Sequence, residues 1–144
     1  MNIQLAKYKD ARKISRLLFN ALSVAGEEVS WTSRIERIKS HIAYKECYVI
    51  KNKGRLIGVM CLELLDDLEI ESLGISRQFR NIGLGRKFIE KSFELAKLYG
   101  YNKVLLGSCS KFDAKDFYIK MGFKVVGKYS DGYEFEYRIK RSKK

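Results

Sequence analysis

Leu73-Gly74-Ile75-Ser76-Arg77-Gln78-Phe79-Arg80-Asn81-Ile82-Gly83-Leu84-Gly85-Arg86-Lys87-Phe88 is the stretch on which the fold turns. It opens as a β-strand, is broken at Gly83 and Gly85, and resumes with helical spacing from Leu84 to Phe88. A strand therefore runs through a glycine-bearing turn into an amphipathic helix. Such a turn gathers backbone N–H groups that have no partner inside the helix. Together with the helix dipole they attract phosphate. Arg80, Arg86 and Lys87 add positive charge around the same point.

Upstream, Asn2 to Lys7 alternates as a short strand. Asp10 then stands as the cap of a helix carrying Ile14, Leu17, Leu18 and Leu22 at helical spacing. A loop over Ala25 to Trp31 leads to a second helix, predicted from Ser33 to His41, with Ile35, Ile38 and Ile42 on one face. Three antiparallel strands follow: Cys47 to Lys51, Arg55 to Leu65 after the turn Asn52-Lys53-Gly54, and Leu68 to Ser76 after Asp66-Asp67. The helix from Gly83 to Tyr99 ends at Gly100. Lys103 to Ser108 is an apolar strand that would lie parallel to the one before this helix. Asp113 caps a short helix in which Ala114, Phe117, Tyr118 and Met121 share a face, with Gly122 as its end. Phe123 to Lys128 and Tyr133 to Lys140 form a closing hairpin. The order is βααβββαβαββ, an α/β architecture on a mixed, mostly antiparallel sheet flanked by helices.

A length of 144 residues fits a single domain over residues 1–144. A hydrophobic share of 46% and a charged share of 32% fit a folded globular chain. No apolar run reaches the roughly 18–20 residues that span a bilayer, and Met1 to Lys9 has no apolar signal core, so no membrane partner is expected. Cys47, Cys61 and Cys109 are odd in number and widely spaced, and His41 is the lone histidine. That pattern argues against a disulfide framework or a metal site and for reduced thiols in a cytoplasm. The formal net charge of +12 is high, yet the basic residues are scattered apart from the tail Arg138, Lys140, Arg141, Lys143, Lys144. It reads first as a solvated basic surface, next as a field that draws phosphorylated ligands, and third as a nucleic-acid surface. No nucleic-acid recognition motif accompanies it.

Two motifs give the chain a family resemblance. The first is Arg80-Asn81-Ile82-Gly83-Leu84-Gly85 following the strand that ends Leu73-Gly74-Ile75. The second is Ala114-Lys115-Asp116-Phe117-Tyr118-Ile119-Lys120-Met121-Gly122-Phe123. In this order, and on these elements, the chain resembles the GNAT-type N-acetyltransferase superfamily. The resemblance implies splayed central parallel strands and acetyl-CoA as the acyl donor. Arg77 stands where the family often has proline, Asn81 where glycine is common, and Lys111 where many members carry asparagine.

The resemblance assigns roles residue by residue. Backbone N–H groups from Ile82 to Arg86, including those of Gly83, Leu84 and Gly85, would cradle the pyrophosphate. Arg80 and Asn81 complete the turn, and Lys111 would reach the cofactor. Leu73, Gly74 and Ile75 would form the rail for the pantetheine arm, with the Leu73 N–H receiving the thioester oxygen. Tyr118 matches the general acid that protonates the departing sulfur, and Phe117 neighbours it in the cofactor motif. Packing in the core is the other reading of Tyr118. Glu69 is placed like the base of the histone-modifying branch. Glu71, two residues on, shares its face in a regular strand, as do Leu73 and Ile75. Either glutamate could instead contact a cationic substrate or sit in solvent. His41 reads as a surface or helix-face residue, and no metal is implied.

The function expected is direct transfer of an acetyl group to a primary amine, on a small molecule or a protein, in a ternary complex. The acceptor site would form from the two N-terminal helices and the Tyr129–Tyr133 turn, where Trp31, Tyr129 and Tyr133 could line it or pack the core. The alternative is a non-catalytic module that senses acyl-CoA or docks to nucleic acid through its basic surface. Pairing of two copies through the C-terminal strands is possible, with Tyr133 to Lys140 as a candidate edge.

Overall fold

The computed structural model describes residues 1–22, 34–109, 114–130 and 132–141. Its strands are β1 (Ile3–Leu5), β2 (Cys47–Asn52), β3 (Arg55–Leu64), β4 (Leu68–Ile75), β5 (Lys103–Cys109), β6 (Lys124–Tyr129) and β7 (Gly132–Arg138). Its helices are α1 (Ala11–Leu22), α2 (Ile35–Ala43), α3 (Leu84–Tyr99) and α4 (Lys115–Lys120). This is the expected βααβββαβαββ order, with ends moved by one or two residues. The strands form one sheet in the order β1-β2-β3-β4-β5-β7-β6. Every neighbouring pair is antiparallel except β4 with β5, the pair joined through α3.

The sheet is covered on both faces, and the apolar spacing of each helix says which side it buries. Ile14 and Leu18 of α1, with Ile38 and Ile42 of α2, pack on Cys47, Val49, Val59 and Cys61. On the other face Phe88, Ile89 and Leu95 of α3 meet Ile50, Met60, Leu62, Leu68 and Ile70. Phe117 and Tyr118 of α4 join that second cluster beside Phe123 and Phe135. Burying a side chain such as Phe88 or Ile14 contributes about 1.5–3 kcal/mol each, so both clusters hold the strands that carry the site. No described helix is long and apolar enough to cross a membrane.

Four details depart from the sequence reading. Asp10 does not cap α1 directly. It closes a 3-10 turn over Tyr8–Asp10, where its Oδ2 accepts the Lys7 N–H at 2.9 Å and its Oδ1 pairs with Lys51 Nζ at 2.9 Å. A second 3-10 turn, Arg77–Phe79, separates β4 from the glycine turn. β7 is not an edge, because it lies between β5 and β6, so the exposed C-terminal edge is β6. Cys47 and Cys61 are far apart in sequence yet directly opposed across β2 and β3, both buried as free thiols with Sγ atoms 3.7 Å apart. Trp31, Lys111 and Asp113 lie outside the described residues.

Candidate active site

The turn between β4 and α3 has the backbone that phosphate binding requires. Asn81 and Gly83 both take left-handed angles, with φ of 64° and 90°. Gly83 is the helix N-cap, supplies no side-chain cap, and bonds through its carbonyl to the Lys87 N–H at 3.1 Å. The N–H groups of Leu84, Gly85 and Arg86 precede that bond and have no partner within the helix. No acidic residue stands in the first turn to compete for them. The buried Leu84 side chain anchors the turn to the core, while Asn81, Ile82 and Gly83 face solvent.

The two family motifs touch. A Cβ built on Gly85 would lie 3.5 Å from the Phe117 ring, so α4 leans directly on the start of α3. The arginines of the turn point elsewhere. Arg86 pairs with Glu90 on the helix surface at 3.1 Å. Arg80 donates from Nε to the Ile75 carbonyl at 3.1 Å and from Nη2 to the Ala21 carbonyl at 3.4 Å. Its guanidinium braces β4 against the last turn of α1.

β4 and β5 pair only from Leu68, Glu69 and Ile70 to Val104, Leu105 and Leu106. Beyond that, β5 continues along β7 to Cys109, and β4 continues along β3 to Ile75. The parallel strands therefore part, as expected, and leave a gap between them. The Ser76 N–H bonds to the Ile57 carbonyl at 2.8 Å, which fixes the phase of the β3 ladder. By alternation the backbone N–H and C=O groups of Leu73 and Ile75 point away from β3, into the gap.

A β-bulge sets the faces. Leu62 pairs with Ile70 and Cys61 with Ser72, leaving Glu71 as an extra residue on β4. Before the bulge, Leu68 and Ile70 face α3; after it, Leu73 and Ile75 do. Glu69 and Glu71 point to the α2 side, as do Ser72 beside Cys61 and Gly74, whose Cβ would meet Leu17 and Leu18 at 3.1 Å. Glu69 and Glu71 thus share a face with each other, as expected, but not with Leu73 and Ile75. The extra residue breaks the period of two on which that expectation rests.

The carboxylates differ in surroundings. Glu71 is gripped by α2: Arg37 donates from Nε at 2.8 Å and from Nη2 at 2.7 Å, and His41 Nε2 lies 2.7 Å away. Burial raises its pKa, but the hydrogen bonds and charges of His41 and Arg37 prevail and hold it below the ordinary carboxylate value. His41 is buried rather than a surface residue, at 4% exposure. Burial and, to a smaller degree, Arg37 work against its charge, yet the paired Glu71, with Cys61, raises its pKa above the usual histidine value. Glu69 is the reverse case. Burial, then repulsion from Glu63, Glu71 and Glu134, raises its pKa, so it takes up a proton more readily than an ordinary glutamate.

Tyr118 sits on the other side of the sheet. Its ring centroid is 5.2 Å from Phe135, 5.4 Å from Phe117 and 6.0 Å from Phe123. Burial alone pushes its pKa up to about 12, which keeps the phenol protonated. It is both packed in an aromatic cluster and on the face that Leu73 and Ile75 share. The expected acid and the expected bases therefore stand on opposite faces of the sheet, with the β4–β5 gap between them. Tyr133 belongs to the Tyr118 side, with Lys115 Nζ 4.5 Å above its ring, and Tyr129 is exposed.

Arg37 is the site residue that the sequence reading missed. Its signal was present: Arg37 and His41 are four apart on a helix, hence on one face, and two glutamates on β4 await cations. Among the described residues no cluster of His, Cys, Asp and Glu is arranged to hold a metal ion.

Comparison with known proteins agrees with this geometry. The model of the Acetyltransferase (GNAT) family matches residues 13–123, which span both motifs and the parting strands. An uncharacterized N-acetyltransferase of Chlorobaculum tepidum is 30% identical over 128 residues, covering 88% of this chain and 77% of that protein. N-acetyltransferase family 8 member 3 of Rattus norvegicus is 26% identical over 113 residues, 73% of this chain, and the match spans about half (48%) of the rat protein. Among solved structures, the PaiA N-acetyltransferase of Thermoplasma acidophilum in complex with coenzyme A superposes with a TM-score of 0.83 at 15% identity, over 95% of this chain and 98% of that one. The chain belongs to the GNAT acetyltransferase family.

Proposed function

We propose that the protein transfers an acetyl group from acetyl-CoA to a primary amine by direct attack in a ternary complex. The observation that carries this reading is the gap between β4 and β5, with a protonated phenol on one face and a proton-accepting carboxylate on the other. Acetyl-CoA supplies an activated acyl group whose leaving atom is sulfur. The residues present fit its three parts. The uncapped N–H groups of Leu84 to Arg86 suit the pyrophosphate, and the inward-pointing amides of Leu73 and Ile75 suit the pantetheine arm. The Tyr118 hydroxyl suits the sulfur.

The chemistry divides between the faces. Glu69 takes a proton from the incoming ammonium, directly or through water, which frees the nitrogen lone pair. The amine nitrogen bonds to the acyl carbon while the Leu73 N–H donates to its oxygen as negative charge gathers there. The carbon–sulfur bond then breaks as Tyr118 delivers its proton to the sulfur, and the second proton of the attacking nitrogen passes through water to the Tyr118 phenolate, leaving a neutral amide. Glu71 takes no part as a base, because Arg37 and His41 hold it charged; it positions α2 against β4 beside Glu69. Fixing both reactants in one cleft is itself a large share of the acceleration.

Thiol release from acetyl-CoA across a panel of amines tests the reading. Turnover with at least one amine supports it. Coenzyme A binding with no thiol release across a broad panel would favour a non-catalytic acyl-CoA sensor instead. Mass spectrometry of protein fractions after incubation with labelled acetyl-CoA then identifies the acceptor.

A further inference from the structure

A second concave surface lies on the α1 side of the sheet, at the edge of the glycine turn. α1, the β2–β3 turn and the segment after β4 enclose about 770 Å³, the size of a small-molecule site. Six cationic side chains line it: Lys13, Arg16, Lys53, Arg55, Arg77 and Arg80. Among the described residues no aspartate or glutamate lines it. Among the described residues, none of the six makes an ion pair. Elsewhere some described lysines do take carboxylate partners, as with Lys51 and Asp10 or Lys103 and Glu136.

Six like charges in a cleft repel one another, and the concave wall focuses their field on the space between them. Only an anion relieves that arrangement. The apolar part of the described wall is Leu17, Ala21 and Leu56, and among the described residues no aromatic ring lines it. The described wall is thus dominated by charge rather than by apolar surface.

This cleft is not the gap of the proposed acetyl-CoA site. The gap opens on the β5 side of β4, whereas the cleft is bounded by the β2–β3 turn, on the β3 side. It also lies on the face of Leu17 and Gly74, opposite Leu73, Tyr118 and the start of α3. Arg80 connects the two places, since it belongs to the glycine turn but its guanidinium is pinned on the cleft side by the carbonyls of Ile75 and Ala21. We infer that this cleft binds a small polyanion bearing several phosphate groups, at a site separate from that of acetyl-CoA.

Calorimetric titration with inorganic tripolyphosphate tests this, on the protein alone and on the protein saturated with coenzyme A. The expected result is binding of similar affinity in both, weaker for orthophosphate, and falling as salt is raised. Arg16→Glu with Arg55→Glu, both exposed, should weaken tripolyphosphate at least about tenfold. Lys39→Glu with Lys140→Glu, the same change in net charge far from the cleft, should leave it nearly unchanged. Arg16→Gln with Arg55→Gln serves if the reversal impairs folding, and a thermal melt of each variant shows whether it does. Displacement of tripolyphosphate by coenzyme A would assign the cleft to the cofactor and overturn the inference. Equal loss from both charge-reversal pairs would reduce it to net charge, and binding of an RNA oligomer but not tripolyphosphate would also sink it. The readout is anion binding, so it stands or falls separately from acetyl transfer.

Discussion

Glu71 and Leu73 are two residues apart on one strand and lie on opposite faces of the sheet. In a regular strand they would share a face. The bulge at Glu71 turns the second half of β4 over and ends its pairing with β5 at Ile70. One extra residue thus opens the gap, aims the Leu73 and Ile75 amides into it, and sorts carboxylates from phenol. Glu69 lies just before this break, with a raised pKa and repulsion from Glu63, Glu71 and Glu134.

Glu69→Gln should lower kcat about 10²–10⁴-fold while leaving coenzyme A affinity unchanged. In the parent protein the rate should rise with pH through a limb lying above 4.5, the ordinary glutamate value, because the base acts only once deprotonated. The variant should lack that limb. A pH profile of kcat/KM for both proteins decides it; an unchanged profile would take Glu69 out of the mechanism.

Tyr118→Phe keeps the ring that packs against Phe117, Phe123 and Phe135 and removes only the proton donor. Turnover should fall about 10²-fold or more, with stability changed by less than about 1 kcal/mol. Since burial pushes the phenol up to about 12, Tyr118 should cause no alkaline loss of activity across the accessible range. Steady-state kinetics alongside a thermal melt separates catalysis from packing.

Most of the scaffold was legible in the sequence because its signals are local. Helical spacing at Ile14, Leu17 and Leu18 placed α1, and the Asn52-Lys53-Gly54 turn placed the β2–β3 hairpin. The two glycine-bearing motifs placed the turn that opens α3 and the helix α4 that leans on it. What was not legible depends on contacts between distant segments. A bulge is a mismatch between two strands, and neither strand shows it alone. The Arg37–Glu71–His41 cluster joins residues 34 apart in sequence for its first pair, and the burial of His41 follows from that packing. The basic cleft likewise draws on three separate segments, which read singly as scattered surface charge.

Gly83 and Gly85 should respond differently to the same substitution. Gly83 has φ of 90° with open space where a Cβ would go, so Gly83→Ala meets backbone strain and no clash. It should cost about 1–2 kcal/mol and raise the KM for acetyl-CoA as the turn relaxes. Gly85 is helical, and its Cβ would rest in ordinary contact with Phe117 at 3.5 Å. Gly85→Ala should be neutral or stabilising by up to about 1 kcal/mol. Urea unfolding of the two variants ranks them, and the reverse order would contradict this account of the turn.

His41 and Glu71 also predict how stability follows pH. The raised His41 pKa gives a stabilisation that is full below its unfolded value of 6.5 and is lost as pH rises through the folded value. The lowered Glu71 pKa gives one that is present above its unfolded value of 4.5 and is lost as pH falls through the folded value. Their combined contribution is therefore greatest between 4.5 and 6.5 and declines toward the alkaline side. The urea midpoint should be lower at about pH 8.5 than at about pH 5.5, with the slope of the transition unchanged. His41→Gln, which cannot titrate, should show a smaller difference between the two conditions. A difference as large as the parent's would mean that other groups carry the pH dependence and that the His41–Glu71 pair is not charged in the folded protein.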